Sequence, residues 1–346
     1  MKPPKISNDD YHASDNLGAS KIVTLMQNAA QYKYEYIDRL KEPTNPMKEG
    51  SAVHDMVLQP FEAGKYITTS AGTKADIRES VEKLGGLDDF DETAKAPEQR
   101  EYLYALIEQK KGEYTTMGKA ALEEAEATAA RALEARIDGI SCFETDTFDS
   151  PETFEQFLQA MKEQGQEGED YHIEQPFYAQ YSAEEGGEKV TLQCKPDLMF
   201  RSDILNPDPS VMRDQVQWIV IDLKTCPEAT PVAFMKNAAN DYYELRQRLY
   251  SKILEANGFY IQDFLFMAIG KKPHSGVTWH RLVDPDLDAA EELIQRAIQK
   301  YTYCKKNDLW LENRFIHELN QYEMIHNTPL PKYRDYRDLD EGYKTL

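Results

Sequence analysis

Val190-Thr191-Leu192-Gln193-Cys194-Lys195-Pro196-Asp197-Leu198-Met199-Phe200 opens a stretch that closes on Trp218-Ile219-Val220-Ile221-Asp222-Leu223-Lys224-Thr225-Cys226. Two apolar segments of strand length each carry a carboxylate, Asp197 and Asp222, and the second adds Lys224 two positions on. Successive side chains along a strand point to opposite faces, so Asp222 and Lys224 share one face while Ile221 and Leu223 share the other. A carboxylate beside an ammonium, backed by an apolar face, suits a buried hydrolytic centre. An isolated Asp-x-Lys is more often a structural ion pair, because buried charges are commonly paired. Pro196-Asp197 on the preceding strand tilts the reading towards function.

Working outwards, Tyr171–Gln180 reads as a strand with Val190–Phe200 as its hairpin partner, and Trp218–Leu223 as a third strand. Val232–Ala256 has the apolar stripe of one long helix (Phe234, Leu245, Leu249, Ile253, Leu254), capped by Gly258. Tyr260–Ile269 and Val277–Leu282 are further strands, and Leu287–Tyr303 a final helix. Upstream, Ala19–Leu40 has helical periodicity, and Gly50 opens a short apolar helix, Ser51–Leu58, that carries His54. Thr73–Leu84, Ala96–Gln109 and Met117–Ile137 are charged, alanine-rich helices, and Ser150-Pro151-Glu152 starts another that reaches about Glu163. The expected fold is α/β, a mixed central β-sheet flanked by helices, with an α-rich N-terminal portion. The expected division is N-terminal helices over 1–60, a helical segment over 61–170, the core over 171–310 and a peripheral tail over 311–346.

The totals bound the function. The chain has 346 residues, 41% of them hydrophobic and 11% aromatic, which is a globular composition able to bury a large core. No run approaches the roughly 20 apolar residues of a membrane span, and Met1-Lys2-Pro3-Pro4-Lys5 lacks the apolar core of a secretory signal. Four scattered cysteines with no CxxC pair fit a reducing cytoplasm and neither a disulfide framework nor a zinc site. A soluble, cytoplasmic protein with no membrane association is expected. The net charge of −21 argues against a general nucleic-acid coat, since phosphate neutralisation dominates such binding, although basic residues gathered in one channel are compatible with it.

As a metal site the constellation is economical: hard cations such as Mg2+ or Mn2+ take oxygen ligands and keep several waters, so carboxylates from adjacent strands suffice. Asp197 and Asp222 are the candidate ligands. Lys224 is placed to orient an attacking water or to stabilise charge on a phosphoryl oxygen. Lys195-Pro196-Asp197 followed by Ile221-Asp222-Leu223-Lys224-Thr225 resembles the PD-(D/E)xK nuclease superfamily, and the Asp-x-Lys-Thr ending resembles its RecB/RecE-type exonuclease branch. Gly50-Ser51-Ala52-Val53-His54 is similar to the upstream helix of that branch, and Ile173-Glu174-Gln175-Pro176-Phe177 to its first sheet strand. Tyr243-Glu244-Leu245-Arg246-Gln247-Arg248-Leu249-Tyr250 resembles the helix that carries Gln-xxx-Tyr. Here Gln247 and Tyr250 are three apart instead of four, and Tyr243 stands four before Gln247. Twenty-five positions separate Asp197 from Asp222, longer than a compact hairpin, and the insertion Ser202–Gln217 accounts for it.

The resemblance implies a restriction-endonuclease-like core with Mg2+ or Mn2+ held by His54, Asp197, Asp222 and the Leu223 carbonyl. It implies Asp197, Asp222, Lys224 and Glu174 as the catalytic set, with Gln247, Tyr250, Arg246 and Tyr243 against DNA. It implies an exonuclease acting on the ends of linear duplex DNA, 5′ to 3′, that leaves single-stranded tails for recombination. It also implies a single-strand annealing protein as partner and a ring-shaped homo-oligomer. A structure-specific endonuclease, a single-strand exonuclease and a catalytically idle DNA-binding scaffold are the competing readings.

Overall fold

Residues 8–41, 44–60, 63–68, 73–110, 114–143, 150–182, 187–207, 210, 212 and 216–310 are described in a computed structural model. The tail expected over 311–346 lies outside the described residues, as does part of the insertion. The first elements are α1 (Asn8–Ala13), α2 (Ala19–Gln27), α3 (Ala29–Tyr32), a π-helical turn Lys33–Ile37 and α4 (Asn45–Leu58). The single helix expected over Ala19–Leu40 is broken at Asn28, whose extended backbone ends α2 while its side chain accepts from the Gln31 N–H to cap α3. α4 begins at Asn45, well before Ser51, because Pro46 sits in the first turn, where its missing N–H is harmless; Gly50 is interior to the helix.

β1 (Tyr66–Thr68), α5 (Lys74–Lys83), α6 (Ala96–Gln109), β2 (Thr115–Met117), α7 (Lys119–Leu133) and α8 (Phe154–Gln164) follow. The expected helices are present, although α8 starts at Phe154 with Thr153 as its cap, so Ser150-Pro151-Glu152 precede the helix and do not open it; a short parallel pair, β1 with β2, joins them. Then come β3 (Tyr171–Ile173), β4 (Phe177–Tyr181), β5 (Val190–Cys194), β6 (Leu198–Arg201), β7 (Gln217–Cys226), α9 (Pro231–Asp241), α10 (Tyr243–Ala256), β8 (Tyr260–Gly270), β9 (Val277–His280) and α11 (Asp284–Asn307).

Among the described residues a five-stranded sheet runs in the order β3-β6-β7-β8-β9. β7 and β8 are parallel and the other pairings antiparallel, so the sheet is mixed. Helices cover both faces. One core layer gathers Ile22, Leu25, Val220, Leu249, Phe266 and Ile294. The other gathers Val53, Phe154, Phe157, Phe200, Ile219, Ile221, Leu223 and Met267. β7 alternates between them, as a strand buried on both faces must. Ile219, Ile221 and Leu223 are at most 1% exposed; each contributes about 2 kcal/mol of burial, which offsets the several kcal/mol of desolvating a charge on the opposite face.

Two expectations are corrected. The hairpin of two long strands is interrupted on both sides, at 174–176 and 195–197, so β4 pairs with β5 apart from the main sheet while β3 pairs with β6 within it. Pro176 and Pro196 have no N–H for a ladder, and Glu174 adopts a left-handed backbone with φ 47. The Glu174 N–H donates to the Asp197 carbonyl at 3.1 Å, which holds the two breaks side by side. The long helix over Val232–Ala256 is likewise divided, because Tyr242 is left-handed, with φ 54, between α9 and α10. Asn240 and Asp241, weak helix formers, precede that break.

Candidate metal centre

The strand interruptions place the chemistry. Glu174 and Asp197 sit at the paired breaks, and His54 approaches from α4. One ligand atom from each of His54, Glu174 and Asp197 lies within 4.8 Å of the others, so the group could hold a metal ion. One imidazole and two carboxylates suit a divalent cation. His54 Nδ1 is 3.5 Å from Asp197 Oδ1, with the two side chains 21% and 9% exposed. Burial disfavours the imidazolium, but the Asp197 carboxylate prevails and the His54 pKa lies above its ordinary value. Burial also opposes the Asp197 carboxylate, yet His54 and Lys224 outweigh it and hold this carboxyl well below the usual range. Asp197 Oδ2 accepts from the Leu223 N–H at 2.7 Å, which ties β7 to Asp197.

Asp222 stands apart from that group. It is fully buried, with Oδ1 in contact with Lys224 Nζ and Oδ2 accepting from Arg246 Nη1 at 3.3 Å. Lys224 also donates to the Leu223 carbonyl at 3.3 Å and lies 5.4 Å from the centre of the Tyr243 ring. Burial, reinforced by the Arg246 guanidinium, pushes the Lys224 pKa well below that of an ordinary lysine. The structure therefore groups Glu174 with His54 and Asp197, three side chains that could share a metal ion. Asp222, Lys224 and the Leu223 carbonyl form an adjoining charge cluster, one backbone bond from Asp197.

On α10 the geometry selects a different pair from the one the Gln-xxx-Tyr spacing suggested. Arg246 Nη1 donates to the Tyr250 hydroxyl at 3.3 Å, and that hydroxyl donates to the Lys195 carbonyl at 3.4 Å. Burial pushes the Tyr250 phenol up to about 12. Arg246 and Tyr250, four residues apart, thus face the centre together, a spacing that could have been read from the sequence. Tyr243 is buried and stacks on Phe266 at 5.3 Å. Gln247 is 9% exposed, and its Oε1 has no hydrogen-bond partner among the described residues. Three further residues reach the site. Gln59 donates to Glu174 Oε2 at 2.9 Å, Lys195 Nζ lies 3.4 Å from the same oxygen, and the Tyr11 ring lies 5.9 Å from Lys195 Nζ. Neither Gln59 nor Tyr11 carries a motif that could have revealed it.

The described start of the insertion, 202–207, is pinned at the end of β6 opposite Asp197, where Arg201 pairs with Asp170 at 3.0 Å and Asp203 at 2.7 Å. Among the described residues no helix is long and apolar enough to cross a membrane.

No protein-family description matches this chain, and no curated protein matches it. Among solved structures, the chain is similar to a protein from Eubacterium rectale provisionally named an exonuclease, with 13% identity, a TM-score of 0.49 and coverage of 96% of this chain and 98% of that one. It is also similar to SSO0001, with 10% identity, a TM-score of 0.27 and coverage of 72% and 84%. At that distance neither likeness bears on the chemistry, which rests on the residues of the centre itself: a buried His-Glu-Asp cluster that could hold a metal ion, set in a mixed α/β fold.

Proposed function

We propose that the chain is a metal-dependent nuclease of the RecB/RecE type, an exodeoxyribonuclease that hydrolyses phosphodiester bonds from the ends of linear duplex DNA, 5′ to 3′. The observation that carries this reading is the juxtaposition of the His54–Glu174–Asp197 cluster with the Asp222–Lys224–Arg246 charge cluster. Three carboxylates and three cations, counting Lys195, lie in these two adjoining clusters of a chain whose net charge is −21. The local charge is thus near balance in an acidic protein, and with a divalent cation bound it turns positive, which favours a phosphodiester over other ligands.

His54, Glu174 and Asp197 would hold Mg2+ or Mn2+. The ion supplies charge neutralisation at the phosphoryl oxygens and acidifies water. Lys224 would orient the attacking water beside the phosphate. Asp222 keeps Lys224 and Arg246 in place, and Arg246 offers two-pronged donors to a phosphate oxygen. Tyr250 accepts from Arg246 beside the centre, and Tyr243 packs α10 against Phe266. The single-stranded tails left by this reaction are the substrate of a single-strand annealing partner. A ring-shaped oligomer would reconcile the acidic exterior with a basic passage for DNA.

Linear duplex labelled at the 5′ or the 3′ end, beside covalently closed circular and single-stranded DNA, tests the reading with Mg2+ present. Early release of the 5′ label from linear duplex alone is expected. Cutting of the circle would replace the exonuclease by an endonuclease, preference for the single strand would identify a single-strand exonuclease, and binding without cleavage would leave a scaffold.

A further inference from the structure

We infer that Gln59 is a positioning residue that holds the Glu174 carboxylate in its metal-binding orientation; this rests on the metal-centre reading above. Glu174 has a left-handed backbone, φ 47, which a residue with a side chain adopts only when its surroundings impose it. Among the described residues its carboxylate is held at Oε2, by Gln59 Nε2 at 2.9 Å and more loosely by Lys195 Nζ at 3.4 Å, and neither contact takes Oε1.

The two fasteners differ in kind. Lys195 adds a positive charge beside the place a divalent cation would occupy and so opposes binding of that ion. Gln59 is a neutral donor and fixes the carboxylate without that penalty. It is also firmly anchored. Gln59 is the C-cap of α4, with its own N–H donating to the Asp55 carbonyl at 2.8 Å. α4 is seated in the core through Ala52, Val53, Val57 and Leu58, none more than 2% exposed. One rigid helix therefore places a ligand, His54, and, a little over one turn later, the donor that orients a second ligand from a distant strand break. Outer hydrogen bonds of this kind fix the direction of metal ligands and set metal affinity.

The test is calorimetric titration of the metal-free full chain with Mn2+, for the wild type, Gln59→Met, Lys195→Met, Glu174→Gln and the Glu174→Gln/Gln59→Met double variant. Methionine keeps the length and shape of glutamine and removes the donor. Gln59→Met is expected to weaken Mn2+ binding about 10- to 100-fold and Lys195→Met not to weaken it. In the Glu174→Gln background, Gln59→Met is expected to add nothing, because the two act through one carboxylate. Gln59→Leu replaces Gln59→Met if the latter melts early. Wild-type affinity in Gln59→Met, or an equal further loss in the Glu174→Gln background, overturns the inference while leaving the metal centre intact. A wild type that binds no Mn2+ overturns the metal centre itself, and the role of Gln59 with it.

Discussion

Replacing Asp222 by alanine removes the carboxylate that faces both Lys224 and Arg246. The side chains are 0%, 14% and 26% exposed respectively, so water replaces little of what is lost. Breaking a buried ion pair from one side costs about 3–5 kcal/mol, because the partner stays buried and uncompensated. Two features place this site at the low end. Arg246 keeps the Tyr250 hydroxyl as an acceptor. Lys224, whose pKa burial already lowers, can shed its proton and escape the unpaired charge. A loss of about 3 kcal/mol is therefore expected, within the 5–15 kcal/mol typical of a folded domain, so the variant still folds. At about 2 °C per kcal/mol for a chain of this size, the melting temperature should fall by about 6 °C. The assay is thermal unfolding of wild type and Asp222→Ala in EDTA at neutral pH. The double variant Asp222→Leu/Lys224→Leu, which removes both charges, should recover at least half of the loss. A single variant that melts with the wild type, or a double variant that recovers nothing, would refute the buried charge cluster.

Other outcomes follow from the same geometry. Glu174→Gly relieves the left-handed backbone and should change the stability of the metal-free protein by less than about 1 kcal/mol, while calorimetry should show Mn2+ binding largely abolished. His172 is buried among Phe177, Trp218 and Phe259, and burial lowers its pKa from 6.5 to about 4. The folded imidazole stays neutral while the unfolded one takes a proton below 6.5, so this contribution is present at neutral pH and is lost as pH falls towards 4. The loss is about 2 kcal/mol at pH 5, and urea denaturation of wild type against His172→Phe at pH 7.5 and pH 5 should show it vanish in the variant. Arg201→Met strands Asp170 and Asp203, 17% and 19% exposed, and should cost about 2 kcal/mol. Mn2+ affinity should be unchanged in that variant, because Arg201 lies at the far end of β6 from Asp197; a loss of affinity would place the insertion at the centre.

The sheet was legible where strands are apolar and long: β7 and β8 announce themselves by Ile219 to Leu223 and Phe264 to Ile269. What was hidden is where the strands stop. Pro176 and Pro196 fall inside runs that otherwise alternate like continuous strands, and it is the Glu174 N–H donating to the Asp197 carbonyl that shows both strands break at one level. β1 and β2, three residues each, are too short for any periodicity to register. The division at Tyr242 turns on one left-handed residue within a long apolar stripe. In the site, Asp222 and Lys224 lie on one face as strand alternation requires. The partition between ligand cluster and charge cluster is a matter of side-chain direction, which spacing does not encode. Arg246 was overshadowed by its neighbour Gln247, since one helical residue is a rotation of about 100° and decides which side chain meets Tyr250. Gln59 is 115 positions from Glu174, and nothing local marks the pair.

The most direct test of the central claim is the release of acid-soluble nucleotides from linear duplex DNA with Mg2+, comparing wild type with Asp197→Ala and Lys224→Ala. Steady release by the wild type, abolished by EDTA and reduced at least about 100-fold in each variant, is the predicted result. Full release by either variant, or none by the wild type, would contradict a metal-dependent nuclease centre at these residues.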